Sequence, residues 1–139
     1  AKVNPMRGSI KSYRKVSIDS EIAVASPHRI IQMMFDGALL RLAQSRYAIE
    51  NHDLKGKGES INKAIGIING LNNSLNMDVK DSVASNLSDL YDFMLRRISE
   101  ANMNNDVAAI DDVIQILRTI KEGWDAIPSE MHQMTSEAS

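Results

Sequence analysis

The chain has no cysteine, one tryptophan, two phenylalanines and three prolines in 139 residues. Without cysteine there is no disulfide, no thiolate nucleophile and no cysteine-bound metal. Stability must therefore come from a packed core, for which one domain of this length suffices. Long apolar runs are missing too: no stretch approaches the roughly 18 uninterrupted apolar residues of a membrane span. The opening AKVNPMRGSIKSYRK has no apolar stretch before a small-residue cleavage site, so no secretory signal and a soluble, cytoplasmic protein are expected. Excess positive charge is also lacking. A net charge of -2 argues against nucleic-acid binding, which needs a basic face, and Lys11, Arg14 and Lys15 read as a solvated cluster.

Chemical motifs are equally scarce. His28, His52 and His132 fall at a helix start, a connection and the tail, with no Glu-x-x-His pair of the kind di-iron bundles need. No serine has a partner histidine, and no glycine loop matches a phosphate cradle. The pair Asp111-Asp112 falls on the polar face of its helix. We expect no catalytic residue, no cofactor, no metal and no enzyme activity. One segment, His52-Asp53-Leu54-Lys55-Gly56, resembles the signature of histidine phosphotransfer domains. There the histidine is exposed in mid-helix; here Asn51 before it and Gly56 and Gly58 after it place His52 where a helix ends.

What is present is helical periodicity. Composition is that of an ordinary globular protein, 43% hydrophobic and 24% charged. Ser26 is a good N-cap and Pro27 suits the first helical position, which starts a helix running to about Glu50. Asn51 to Gly58 reads as a connection, followed by helices at about Glu59–Asn76, Ser82–Met103 and Val107–Ile127. Asn76 to Asp81 is a second break, and Asn102 to Asp106 a tight turn rich in residues that tolerate left-handed backbone. The expected fold is an all-α, antiparallel four-helix bundle over residues 22–128. Residues 129–139 read as a disordered tail. Residues 1–21 form a separate segment in which Ile10, Tyr13 and Val16 have helical spacing, too short to be stable unless docked.

The first helix carries two apolar stripes. Ile31, Met34, Phe35, Ala38, Leu42 and Ile49 form a core face; Met33, Leu40 and Tyr47 recur every seventh residue and point the opposite way. The expected core continues through Ile61, Ala64, Ile65, Ile68, Leu71 and Leu75, then Val83, Leu87, Leu90, Tyr91, Met94, Ile98 and Ala101, then Ile110, Val113, Ile114, Leu117 and Trp124. Ile67 flanks the second helix, and Phe93 and Leu95 lie off the core face of the third. On the fourth, Ala109, Ile116, Ile120 and Ile127 widen the apolar arc to about 160°, against the little over 100° a bundle helix needs. Isolated surface apolar residues mean nothing, but contiguous ones mark interaction surfaces. The eight methionines pack adaptably and suit surfaces that receive a helix. The expected partner-binding residues are Met33, Leu40, Tyr47, Ile67, Phe93, Ile116 and Ile120. A generic helical adaptor fits this pattern.

The run Ala25-Ser26-Pro27-His28-Arg29-Ile30-Ile31-Gln32-Met33-Met34-Phe35-Asp36-Gly37-Ala38 resembles the opening of the first long helix in the flagellin export chaperones. Tyr13, Val16, Lys63-Ala64, Asn86-Leu87, Leu90-Tyr91-Asp92-Phe93-Met94, Ala101-Asn102, Leu117 and Trp124 match the same family in order. Phe35 stands where a tyrosine is common. The resemblance implies a cytoplasmic chaperone that binds the disordered C-terminal segment of flagellin as helices along the bundle's outside. That prevents premature polymerisation, and the complex goes to a component of the flagellar type III export gate. It also implies that Ile10, Tyr13 and Val16 cover a groove in the free protein and yield to flagellin. Ser26, Pro27 and Asp36 read as structural. Uncovered grooves leave self-pairing into a homodimer open.

Overall fold

The computed structural model describes residues 25–75 and 82–131. Four helices follow one another: α1 (Pro27–Glu50), α2 (Leu54–Asn73), α3 (Ser82–Asn104) and α4 (Val107–Asp125), with a short 3-10 turn at Ser129–Met131. Each packs on its two neighbours, α1 on α2 and α4, and α3 on α2 and α4. Long-range contacts set the direction. Trp124 Nε1 donates to His28 O at the start of α1, while Arg46 near its end bonds Asp111 at the start of α4. Helices α1 and α4 are thus antiparallel, and the short turns make the remaining pairs so. The expected four-helix bundle is the fold observed.

The two turns at one end share a plan. After α1, His52 N bonds Ile49 O and Asp53 N bonds Ala48 O, with His52 at φ 56°. After α3, Asn105 takes φ 51° and Asp106 N bonds Ala101 O. Both follow the Schellman pattern of a left-handed residue past the helix end. Each aspartate then caps the next helix: Asp53 Oδ1 accepts from Gly56 N at 2.9 Å and Asp106 Oδ1 from Ala109 N at 3.3 Å. Buried Lys57 ties the turns together, donating to Asn102 O at 3.1 Å and Asn105 Oδ1 at 2.8 Å. A cation there also meets the negative end of α3.

This corrects the expected connection at Asn51–Gly58. It is only Asn51 to Asp53, and α2 begins at Leu54 instead of Glu59. Gly56 lies inside the first turn because a Cβ there would sit 2.8 Å from Asp53 Cγ, within the capping carboxylate. His52 stands at a helix end, as its neighbours imply.

Phe35, Leu42, Ile61, Ile68, Met94, Ile98, Ile110 and Leu117 fill the centre, all buried. Val83 and Leu90, expected in the core, are 55% and 38% exposed. The end of α4 that runs past the start of α3 turns its large side chain, Trp124, toward α1. There it stacks on His28 with ring centroids 5.0 Å apart. Ile10, Tyr13, Val16, the Asn76 to Asp81 break and the tail beyond Met131 lie outside the described residues.

Candidate binding surface

Of the outer stripe of α1, Leu40 is 54% and Tyr47 69% exposed, while Met33 is half-buried. Helical register centres Leu40 on the outer face and turns Tyr47 toward α4. There Tyr47 borders a groove between α1 and α4. One hollow of 400 Å³ is lined by Ala43, Arg46, Tyr47, Glu50, Asp111, Ile114 and Arg118. A second, of 310 Å³, is lined by Asp36, Leu39, Arg118, Lys121, Glu122 and Asp125. Arg118 belongs to both.

Ion pairs bridge the helices along this groove. Arg46 Nε meets Asp111 Oδ1 at 2.8 Å and its Nη1 meets Glu50 at 2.8 Å. Lys121 Nζ meets Asp125 at 2.5 Å and Asp36 at 3.7 Å. The hydrogen bond that Arg46 donates to Asp111 raises its pKa, helped by the charges of Asp111 and Glu50. The hydrogen bond that Lys121 donates to Asp125 raises the Lys121 pKa against the opposing effect of desolvation. Asp125 is lowered in turn by Lys121 and by the amide of Gln32, 2.8 Å away. These exposed pairs contribute little stability, yet they fix where the cations stand.

The remaining expected residues lie elsewhere. Phe93 is 42% exposed on α3. Ile116 and Ile120 are half-buried and pack against the core. Helical register turns them, with Phe93 and Leu90, toward the α3–α4 seam, where Arg97 bonds Asp112. Ile67 faces α1 at Gly37: a Cβ there would lie 3.4 Å from Ile67 Cδ1, so this side chain closes an internal seam. The seven residues therefore form no single patch. Ala43 and Arg118 escaped sequence reasoning because neither a methyl nor an exposed guanidinium carries an apolar signal. Leu54 and Met103, 75% and 80% exposed at the turn end of the bundle, were also not foreseen.

Among the described residues no group of three His, Cys, Asp or Glu side chains is placed to hold a metal ion. No described helix is long and apolar enough to cross a membrane. Fold and surface together define an all-helical bundle whose first helix keeps large apolar side chains in solvent beside an open groove.

Comparison with known proteins gives that class its family. Residues 9–131 match the family model described as flagellar protein FliS. A flagellar secretion chaperone FliS of Vibrio cholerae is 47% identical over 94% of this chain and 96% of its own. One of Salmonella typhimurium is 45% identical over 85% of this chain and 88% of its own. That of Bacillus subtilis is 31% identical over 80% and 83%. A crystal structure described as a flagellar chaperone from bacteria superposes with a TM-score of 0.67 at 18% identity, covering 84% of this chain and 94% of that one. The chain belongs to the FliS family. This is a family of export chaperones and not of enzymes.

Proposed function

We propose that this protein binds the C-terminal segment of flagellin in the bacterial cytosol and holds it as helices along the outside of the bundle. Held there, the segment makes no filament contacts, and the complex is delivered to the flagellar type III export gate. The observation that carries this reading is the exposure of Leu40 and Tyr47, 54% and 69%, on the outer face of α1, with Tyr47 lining the open groove between α1 and α4. Burying such residues under a partner is favourable by roughly 25 cal/mol per Å² of apolar surface. Recognition of a helix in a groove uses apolar anchors at i, i+3, i+4 and i+7, and a client that folds on binding offsets part of that gain with its ordering cost. The N-terminal segment, with Ile10, Tyr13 and Val16, serves as the cover that flagellin displaces; removing residues 1–17 is expected to raise dye binding to apolar surface.

Titration calorimetry against a C-terminal flagellin fragment from the same source, with circular dichroism on the mixture, tests the reading. Saturable binding, a negative heat-capacity change and a gain in helix are expected. An absence of heat together with no new helix overturns it.

A further inference from the structure

The row of α1 residues that lines the α1–α4 groove, Leu39, Ala43 and Tyr47, is interrupted by a small residue. Leu39 lies one turn before and Tyr47 one turn after Ala43, which is exposed and offers a single methyl. With Ile114 across from it, this step produces the 400 Å³ hollow, chiefly apolar in its lining and roomy enough for a leucine or phenylalanine side chain. The charges beside it are unevenly engaged. Arg46 is held by Asp111 and Glu50, and Lys121 by Asp36 and Asp125. Arg118 lines both hollows, and among the described residues no carboxylate pairs with it. Glu122 is also unpaired among them, but it lines only the second hollow.

We propose that the hollow at Ala43 is the anchor subsite of the groove, receiving one bulky apolar side chain of a client helix. Arg118 takes a carboxylate about one turn along that same helix. The assignment rests on the reading of flagellin's C-terminal segment as the client and adds what that segment must present. Position follows from charge: a carboxylate seated over the junction of the hollows meets a free guanidinium, which suits bidentate pairing. One seated further along meets Glu122 and is repelled. Specificity then comes from an apolar residue and an acid in fixed register, not from apolarity alone.

The test is calorimetric titration of the full chain with the C-terminal flagellin fragment, using Ala43→Leu, Arg118→Glu, Arg118→Lys and, as a control away from the groove, Arg96→Glu. Ala43→Leu fills the hollow on an exposed helical surface where leucine is well tolerated, so its circular dichroism and melting midpoint stay those of the wild type. Its affinity falls on the order of 30-fold, the loss of a buried anchor. Arg118→Glu weakens binding about tenfold. Arg118→Lys keeps the charge but loses the planar fork, so binding weakens by an intermediate factor, on the order of threefold, and Arg96→Glu retains all of the affinity. Replacing one acidic residue of the fragment by lysine restores binding to Arg118→Glu. Wild-type affinity in both Ala43→Leu and Arg118→Glu overturns the assignment while the chaperone reading stands. Loss in only one overturns the half that the other carried. No binding by the wild type overturns the reading beneath it.

Discussion

On the flank of α1 that faces α2, Ile67 Cδ1 approaches Gly37, and Met34 Cε lies 2.8 Å from where a Cβ on Gly70 would stand. On the flank that faces α4, the residues across the seam are Arg46 with Asp111 and Lys121 with Asp36, all partly in solvent. The first flank closes because glycine lets a backbone come under an apolar side chain, and packing contacts there are lost if either partner changes. The second stays open because its rim is made of long charged side chains that stay partly in water, and no large apolar side chain fills the space at Ala43. One helix thus has an apolar flank committed to the fold and another left for use. Exposure alone does not tell them apart: Ile67 and Met33 are both half-buried.

The largest expected effect falls on the closed flank. Ile67→Asp places a carboxylate in the closed seam between α2 and α1 and should cost about 3 kcal/mol, lowering the thermal midpoint by roughly 10 °C. A loss under about 0.5 kcal/mol, the size expected of a surface change, would show that this flank is open as well.

Tyr47 and Tyr91, the two tyrosines among the described residues, extend the contrast between inside and outside. Tyr91 is 3% exposed, and burial pushes its pKa up to about 12. In the unfolded chain a tyrosine ionises near pH 10. The neutral phenol therefore stabilises the fold fully below about pH 10, and that contribution is lost as pH rises from about 10 through the folded value. About 2–3 kcal/mol should disappear across that window, and Tyr91→Phe should flatten this alkaline arm in urea melts taken at successive pH values. An unaltered arm would place the ionising group elsewhere.

Both flanks of α1 depend on the turn that sets α2 beside it. Asp53→Ala removes the cap of α2 and should cost about 1 kcal/mol in denaturant midpoint. Gly56→Ala should cost a similar amount, about 1 kcal/mol, although alanine is the better helix former, because its methyl enters the space of the Asp53 carboxylate. If Gly56→Ala stabilises instead, the carboxylate has room to move and the cap does not set the glycine.

Most of this fold is legible in the sequence. Ser26 accepting from Arg29 N, the start at Pro27 and the breaks near Asn51 and Asn105 follow from capping chemistry and periodicity. The start of α2 was not legible, since glycines at 56 and 58 look like a loop until the aspartate above Gly56 is seen. The surface was legible only in part. A 100° step per residue shows that Tyr47 and Ile67 both lie off their core faces, but not what occupies the space beyond each. For Ile67 that depends on Gly37 in another helix. The turn of Trp124 toward His28 is likewise a matter of α4 and α1 together. Such facts belong to pairs of helices, and no single-helix pattern contains them. Ala43 and Arg118 gave no apolar signal, and their place in the groove is visible only when α4 is set beside α1.

The smallest effect on stability is expected where the largest effect on binding lies. Tyr47 is 69% exposed and lines the open flank without entering the core, and Leu40, 54% exposed, stands on the outer face nearby. Tyr47→Asp should change the unfolding free energy by less than about 0.5 kcal/mol, because the ring has little contact to lose and the new carboxylate stays in water. Beside the hollow, however, that carboxylate must be desolvated under any helix that settles into the groove, and the aromatic wall of the anchor site is gone. Affinity for the flagellin fragment should fall by on the order of 30-fold or more. Measured on one sample by chemical denaturation and by calorimetry, the two numbers divide the flanks of α1. A stable variant that no longer binds leaves the α4 side as the receiving face. A variant that unfolds shows that Tyr47 supports the bundle, and the open flank is then as structural as the closed one.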